Sequence, residues 1–183
     1  MTETTQQTNR IEQGLAHHRA GALDEAAAEY RAVLGDDPGD ADANHLLGNI
    51  AKQRGDLARA VQLMEQALAR RPTFPTAWYN LANTRWQCGE LETALACYDR
   101  ALTENPSHER AWVNRGRTLQ HLGRTSEAAE SFHAALALNP DNGMGWENLS
   151  LTRRFEAGED EVEAMRAALD RVEPAGVDAR GLH

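Results

Sequence analysis

Between Pro75 and Gln87 the pattern-setting positions step by three and four: Trp78, Leu81, Ala82 and Arg85 share one face. Such a step predicts an amphipathic helix. Gly89 breaks it, as a residue that accepts positive φ at no steric cost. Leu91, Ala94, Leu95, Tyr98, Ala101 and Leu102 then fall on one face of a second helix, which Pro106 ends. Proline has no N–H for a continuing helix and disfavours helical backbone in the residue before it. Residues 75–108 thus read as two helices around a glycine turn.

The same text recurs along the chain. Trp78, Trp112 and Trp146 lie 34 residues apart, as do Pro38, Pro72, Pro106, Pro140 and Pro174. Gly14, Gly48, Ala82, Gly116 and Ser150 keep that interval, and so do Ala26, Ala60, Ala94 and Ala128, with Val162 in the fifth slot. Four residue classes on one period without slippage identify a repeat array. Gly21, Gly55, Gly89 and Gly123 mark the turn inside each unit. The units run 7–40, 41–74, 75–108, 109–142 and 143–176, between tails at 1–6 and 177–183.

The recurring sizes suggest how the units pack. Small residues on both helices let two backbones approach closely. Tyr30, Met64, Tyr98 and Phe132 are large and, on this reading, fill the space between one unit and the next. Neither helix can bury its stripe alone, so at least three units are needed for stability.

A hydrophobic content of 41% with only 5% aromatics suits helices packed through alanine and leucine. The formal charge of −9 argues against nucleic acid or an anionic membrane as partner. No stretch has the apolar length of a membrane span. Cys88 and Cys97, with no CxxC pair, read as reduced thiols in a cytoplasmic protein. No phosphate loop, dinucleotide fingerprint, nucleophile elbow or metal-ligand spacing is present, so neither an enzyme nor a cofactor or metal is expected. Asp36, Asp37, Asp40 and Asp42 crowd one connecting turn, where they read as helix caps and a solvated acidic loop.

The period and the tryptophan, small-residue and proline slots resemble the tetratricopeptide repeat. The resemblance covers about residues 7–174 and implies an all-α solenoid of five helix-turn-helix units forming a superhelical arc. The ends depart from the pattern: Arg10 stands in the tryptophan slot, and Val162, Arg166 and Leu169 replace small and aromatic residues. Polar ends suit the terminal units of a solenoid. Arg115 occupies a leucine slot inside the array and is expected to run its stem along the surface with its head in water.

The resemblance also implies a concave groove lined by the first helix of each unit. Asn80, Asn114 and Asn148 share one repeat slot there, Asn49 and Asn83 another, and Tyr79 stands beside them. Each amide offers a donor and an acceptor to the main chain of an extended peptide. This looks like the asparagine ladder in the helical array of O-GlcNAc transferases, although asparagine is also the family's commonest residue at these slots. Tetratricopeptide domains that grip chaperone C-termini use lysines, asparagines and an arginine. Their slots here hold His45, Asn49, Asn80, Arg110 and Asn114, a degraded set. Arg110, Arg117 and His121, with Arg154 of the fifth unit, would make the groove locally basic. The groove therefore suits a protein or peptide that is acidic or carries a free C-terminal carboxylate. The same arginines can equally pair with neighbouring acids.

The stretch from 149 to 183 is similar to the junction at which bacterial repeat regions lead into a sulfotransferase domain, ending on an Asp–x–x–x–Leu–His phrase. The expected function is a protein-interaction scaffold, monomeric or weakly self-associating. The alternative is a non-catalytic repeat region that presents substrate within a sulfotransferase or glycosyltransferase system.

Overall fold

The structure is a computed structural model that describes residues 3–152 together with 164, 166 and 167. Among the described residues every regular element is a helix: α1 (Glu3–Arg19), α2 (Leu23–Asp36), α3 (Ala41–Gln53), α4 (Leu57–Arg70), α5 (Pro75–Gln87), α6 (Leu91–Glu104), α7 (Glu109–His121), α8 (Thr125–Leu138) and α9 (Gly143–Thr152). They form the successive helix-turn-helix pairs that the repeat pattern predicts. α1 begins at Glu3, inside the segment 1–6 that the sequence pattern sets apart as a tail. Most of the second half of the fifth unit, including Arg154, Val162 and Leu169, and the tail 177–183 lie outside the described residues, as does most of the stretch from 149 to 183.

The chain divides into two compact units, Met1–Pro106 and Ser107–His183. In the first, α1 pairs with α2, α3 with α4 and α5 with α6, and α2–α3 and α4–α5 contacts join successive pairs. In the second, α7 pairs with α8, and α9 packs against both.

The turns follow from local chemistry. Gly21, Gly55, Gly89 and Gly123 have φ of +77°, +80°, +78° and +75°, the left-handed region that glycine enters freely. After each, the next residue's N–H bonds a carbonyl five residues back, as Ala22 does to His17 at 2.9 Å and Arg124 to Leu119 at 2.9 Å. That is the Schellman closure of a helix C-terminus. Asp40 caps α3 by accepting from the Ala43 N–H at 2.7 Å, and Asp56 caps α4 by accepting from Arg59 N–H at 3.0 Å. The tryptophan and proline slots are linked directly. Trp78 Nε1 donates to the Pro72 carbonyl at 2.7 Å, and Trp146 Nε1 to that of Pro140 at 2.8 Å. An indole six residues along from each proline therefore ties the first turn of a helix to the loop before it.

Tyr30 packs with Ile50 and Met64 with Leu81 of the following repeat, between units as expected, and the large rings also pack within their own hairpins. A Cβ on Gly14 would stand 2.4 Å from Cε1 of Tyr30, and one on Gly116 would stand 2.5 Å from Cε1 of Phe132. Each ring lies on the glycine of its own hairpin. The reason is geometric: a helix without a side chain at that slot exposes its backbone as a flat seat for a ring. Two clusters share the core of the first unit. One holds Tyr30, Ile50 and Leu63. The other is built on Met64, Leu81 and Tyr98, with Trp78, Tyr79 and Trp86 packed against it.

Arg115 also departs from its expected course. Its Nη1 donates to Oγ of the fully buried Ser131 at 2.6 Å, and the guanidinium lies 5.8 Å from the Trp112 ring. A small hydroxyl on α8 gives the head a partner inside the hairpin, where the leucine usual at this slot would need none.

Candidate functional site

The residues singled out by the sequence fall into two sets, one in each compact unit. On α3, His45 and Asn49 stand four residues apart, and on α5 Tyr79, Asn80 and Asn83 crowd one side of the helix. The structure brings His45, Asn49 and Asn80 together. Nε2 of His45 lies 3.2 Å from the amide nitrogen of Asn49 and 2.9 Å from that of Asn80.

This histidine is not an exposed cation. It is 6% exposed, and its ring meets Phe74 edge-on with centroids 4.8 Å apart. Burial pulls its pKa down to about 4, with Asp42 opposing the fall and Arg71 adding to it. The ring is therefore neutral at pH 7, and Nε2 accepts from the amides. The slot that supplies a lysine in carboxylate-gripping relatives holds an uncharged acceptor here. Its work is to orient Asn49 and Asn80 through their amide nitrogens.

Asn83 is committed differently. Its Oδ1 accepts from the Tyr98 hydroxyl at 2.6 Å, and the Tyr79 ring lies 6.2 Å from that of Tyr98. Phe74 is the residue of this site that sequence reasoning passed over, and Tyr98 was read there only as a packing residue. Phe74 precedes Pro75, the one proline outside the 34-residue comb, and that misplaced proline was the available signal.

In the second unit Arg110, Asn114, Arg117 and His121 follow one another at intervals of four, three and four along α7. At about 100° per residue these positions form a single stripe. Arg110 and His121 are exposed, and Asn114 and Arg117 half-buried. The Asn114 carbonyl accepts from the Thr118 hydroxyl at 2.7 Å. Asn148, on α9, donates its amide to the Met144 carbonyl one turn back at 2.8 Å, and its own carbonyl accepts from Gln120 at 3.1 Å. The basic residues and Asn114 thus share one stripe on α7, while Asn148 on α9 is tied to its own helix.

Cys88 and Cys97 are free thiols, and burial pushes Cys97 up to about 11. Among the described residues no group of three or more histidine, cysteine or acidic side chains is placed to hold a metal ion. No helix of the described residues is long and apolar enough to cross a membrane.

Comparison with known proteins agrees with the repeat geometry. Family models described as Tetratricopeptide repeat match residues 10–41, 51–114 and 86–144. The chain is a tetratricopeptide-repeat protein. The crystal structure of MamA superposes with a TM-score of 0.77 at 21% identity, over 86% of this chain and 93% of that one. The structure of YrrB, described as a TPR protein with an unusual peptide-binding site, superposes with a TM-score of 0.74 at 23% identity, over 88% of this chain and 84% of that one. No curated protein matches the chain. At these identities the tetratricopeptide-repeat fold is shared, while the residues of the amide cluster and of the basic stripe have to be argued from this chain's own geometry.

Proposed function

We propose that this tetratricopeptide-repeat protein is a non-catalytic interaction scaffold that holds an extended peptide or protein segment on the first helices of its units. The observation that carries the reading is the His45–Asn49–Asn80 cluster. A buried, neutral imidazole fixes two amides on adjacent units of one compact body, so their remaining donor and acceptor atoms are set before any ligand arrives. Preorganised amides bind main-chain groups at less entropic cost than freely rotating ones. Arg110 and Arg117 on α7 add positive charge to the corresponding helix of the second unit, which favours acidic segments or a free carboxylate. The neighbour YrrB, by its description a peptide-binding protein of this fold, is consistent with that use. The amide face and the basic stripe are offered as two contributions, to be tested separately.

Fluorescein-labelled decapeptides of acidic, neutral and basic composition provide the probes. Asn49→Ala with Asn80→Ala should weaken acidic and neutral peptides alike, because main-chain contacts do not depend on side-chain charge. Arg110→Ala with Arg117→Ala should weaken only the acidic peptides and flatten their loss of affinity between low and physiological salt. Binding that ignores all four substitutions would remove the first helices as the working surface.

A further inference from the structure

Two pockets, of about 440 Å³ and 480 Å³, open on the first compact unit one repeat apart. Leu34, Leu47 and Leu63 line the first, and the residues 34 positions on, Leu68, Leu81 and Cys97, line the second. Both are enclosed by the second helix of one unit and both helices of the next. The first faces away from the amide cluster: Leu47 on α3 is two residues from Asn49, about half a turn around the helix.

The two pockets differ in charge. The rim of the second holds Glu65 and Arg85, which form an ion pair with each other. The rim of the first carries Arg31, Arg54 and Arg59 against a single acid, Asp56. That aspartate already accepts from the backbone N–H of Arg59 as the cap of α4. Arg54 pairs with Asp24, whose side chain is 91% exposed and so holds its partner weakly. Arg31 forms no ion pair with a described residue. A leucine-lined hollow under three arginines is an anomaly in a chain of net −9.

We propose that this first pocket is a second docking site, on the opposite side of α3 from the amide cluster. Its partner is a protein segment with one large apolar side chain flanked by acidic residues. The apolar side chain enters between Leu34, Leu47 and Leu63, where its burial removes area from water. The flanking carboxylates meet the guanidinium forks of Arg31 and Arg59, which bind carboxylates in a bidentate manner.

The test uses a fluorescein-labelled, C-terminally amidated decapeptide of glutamate and serine with one central phenylalanine. Two counterparts have the phenylalanine replaced by serine or the glutamates by lysine. The first peptide is expected to bind and both counterparts to bind about tenfold or more weakly. Arg31→Glu with Arg59→Glu should weaken the first peptide about tenfold or more, since both side chains are exposed and circular dichroism can confirm the fold. Asn49→Ala with Asn80→Ala removes only the amide face's share of binding and should keep the preference for the first peptide over its serine counterpart, since main-chain contacts do not read the phenylalanine. Failure of the first peptide to bind the wild-type chain would overturn the proposal. So would binding indifferent to the arginine pair, and so would loss of the phenylalanine preference in the asparagine pair, which would move the peptide to the amide face.

Discussion

The hydroxyl of Tyr98 donates to Oδ1 of Asn83 at 2.6 Å, and the matching hydroxyl of Tyr30 finds no such partner. Two repeats before Asn83 stands Leu15, so the slot that answers one tyrosine is apolar for the other. Tyr30 is fully buried, and its oxygen has no hydrogen-bond partner among the described residues. Tyr98→Phe should cost about 1 kcal/mol, the usual worth of a net hydrogen bond, while Tyr30→Phe should be neutral or stabilising because it removes a buried unpaired group. Urea unfolding of the two variants decides it. Equal losses would mean that Asn83 adds nothing to Tyr98.

The glycine seats make a second contrast. Gly14→Ala and Gly116→Ala would drive a methyl into the Tyr30 and Phe132 rings, and overpacking of that kind should cost about 1–3 kcal/mol. Gly35, near the end of α2, would meet nothing within 4 Å. Gly35→Ala should therefore stabilise by up to about 1 kcal/mol through reduced freedom of the unfolded chain. Thermal melts that rank all three alike would show that the rings move aside freely.

His45 should make stability depend on pH. Its folded pKa of about 4 lies below the ordinary value of 6.5, so the unfolded chain takes up a proton that the folded chain refuses. The contribution is fully present above pH 6.5 and is lost as pH falls from 6.5 to about 4. The loss over that window is at most about 3 kcal/mol, from 1.36 kcal/mol per pH unit. His45→Gln keeps a hydrogen-bonding group and removes the titration. Chemical denaturation at pH 7 and at pH 5 should show a smaller difference for the variant than for the wild type. Parallel profiles would place the imidazole in water.

The indole bond between Trp78 and Pro72 predicts a fourth outcome. Trp78→Phe keeps an aromatic ring and deletes the N–H that ties α5 to the loop before it. The expected cost is about 1 kcal/mol from the bond, with a further loss from the smaller ring. Hydrogen exchange should quicken at the start of α5 more than in α6. A uniform change would indicate loss of packing alone.

Much of the solenoid was legible in the spacing, since a helix repeats its faces every 3.6 residues and a 34-residue unit repeats whole hairpins. The positive φ at Gly21, Gly55, Gly89 and Gly123 followed from the same arithmetic, because only glycine enters that region freely. The face that Asn49, Asn80 and Asn83 occupy was readable for the same reason. Their partners were not. Whether an amide meets a ligand or a neighbour depends on atoms brought together across helices, and periodicity along one helix carries no information about those distances.

His45 shows the difference most plainly. Its slot marked it as a groove residue in a degraded carboxylate set, and the burial supplied by α3, α5 and Phe74 leaves the ring neutral and turns it into an anchor for two asparagines. Arg115 likewise had an expected surface, until a buried hydroxyl on α8 gave its head an inward partner. The three arginines of the first pocket are spread over 29 positions of sequence and share no motif. By itself the sequence determined the repeat, the helices, the turns and the family, all of which depend on local steric rules repeated at one interval. The tertiary structure alone decided which polar groups are satisfied, which charges are neutralised and which hollows stay open. Those properties depend on desolvation and on contact between side chains that the chain order keeps apart.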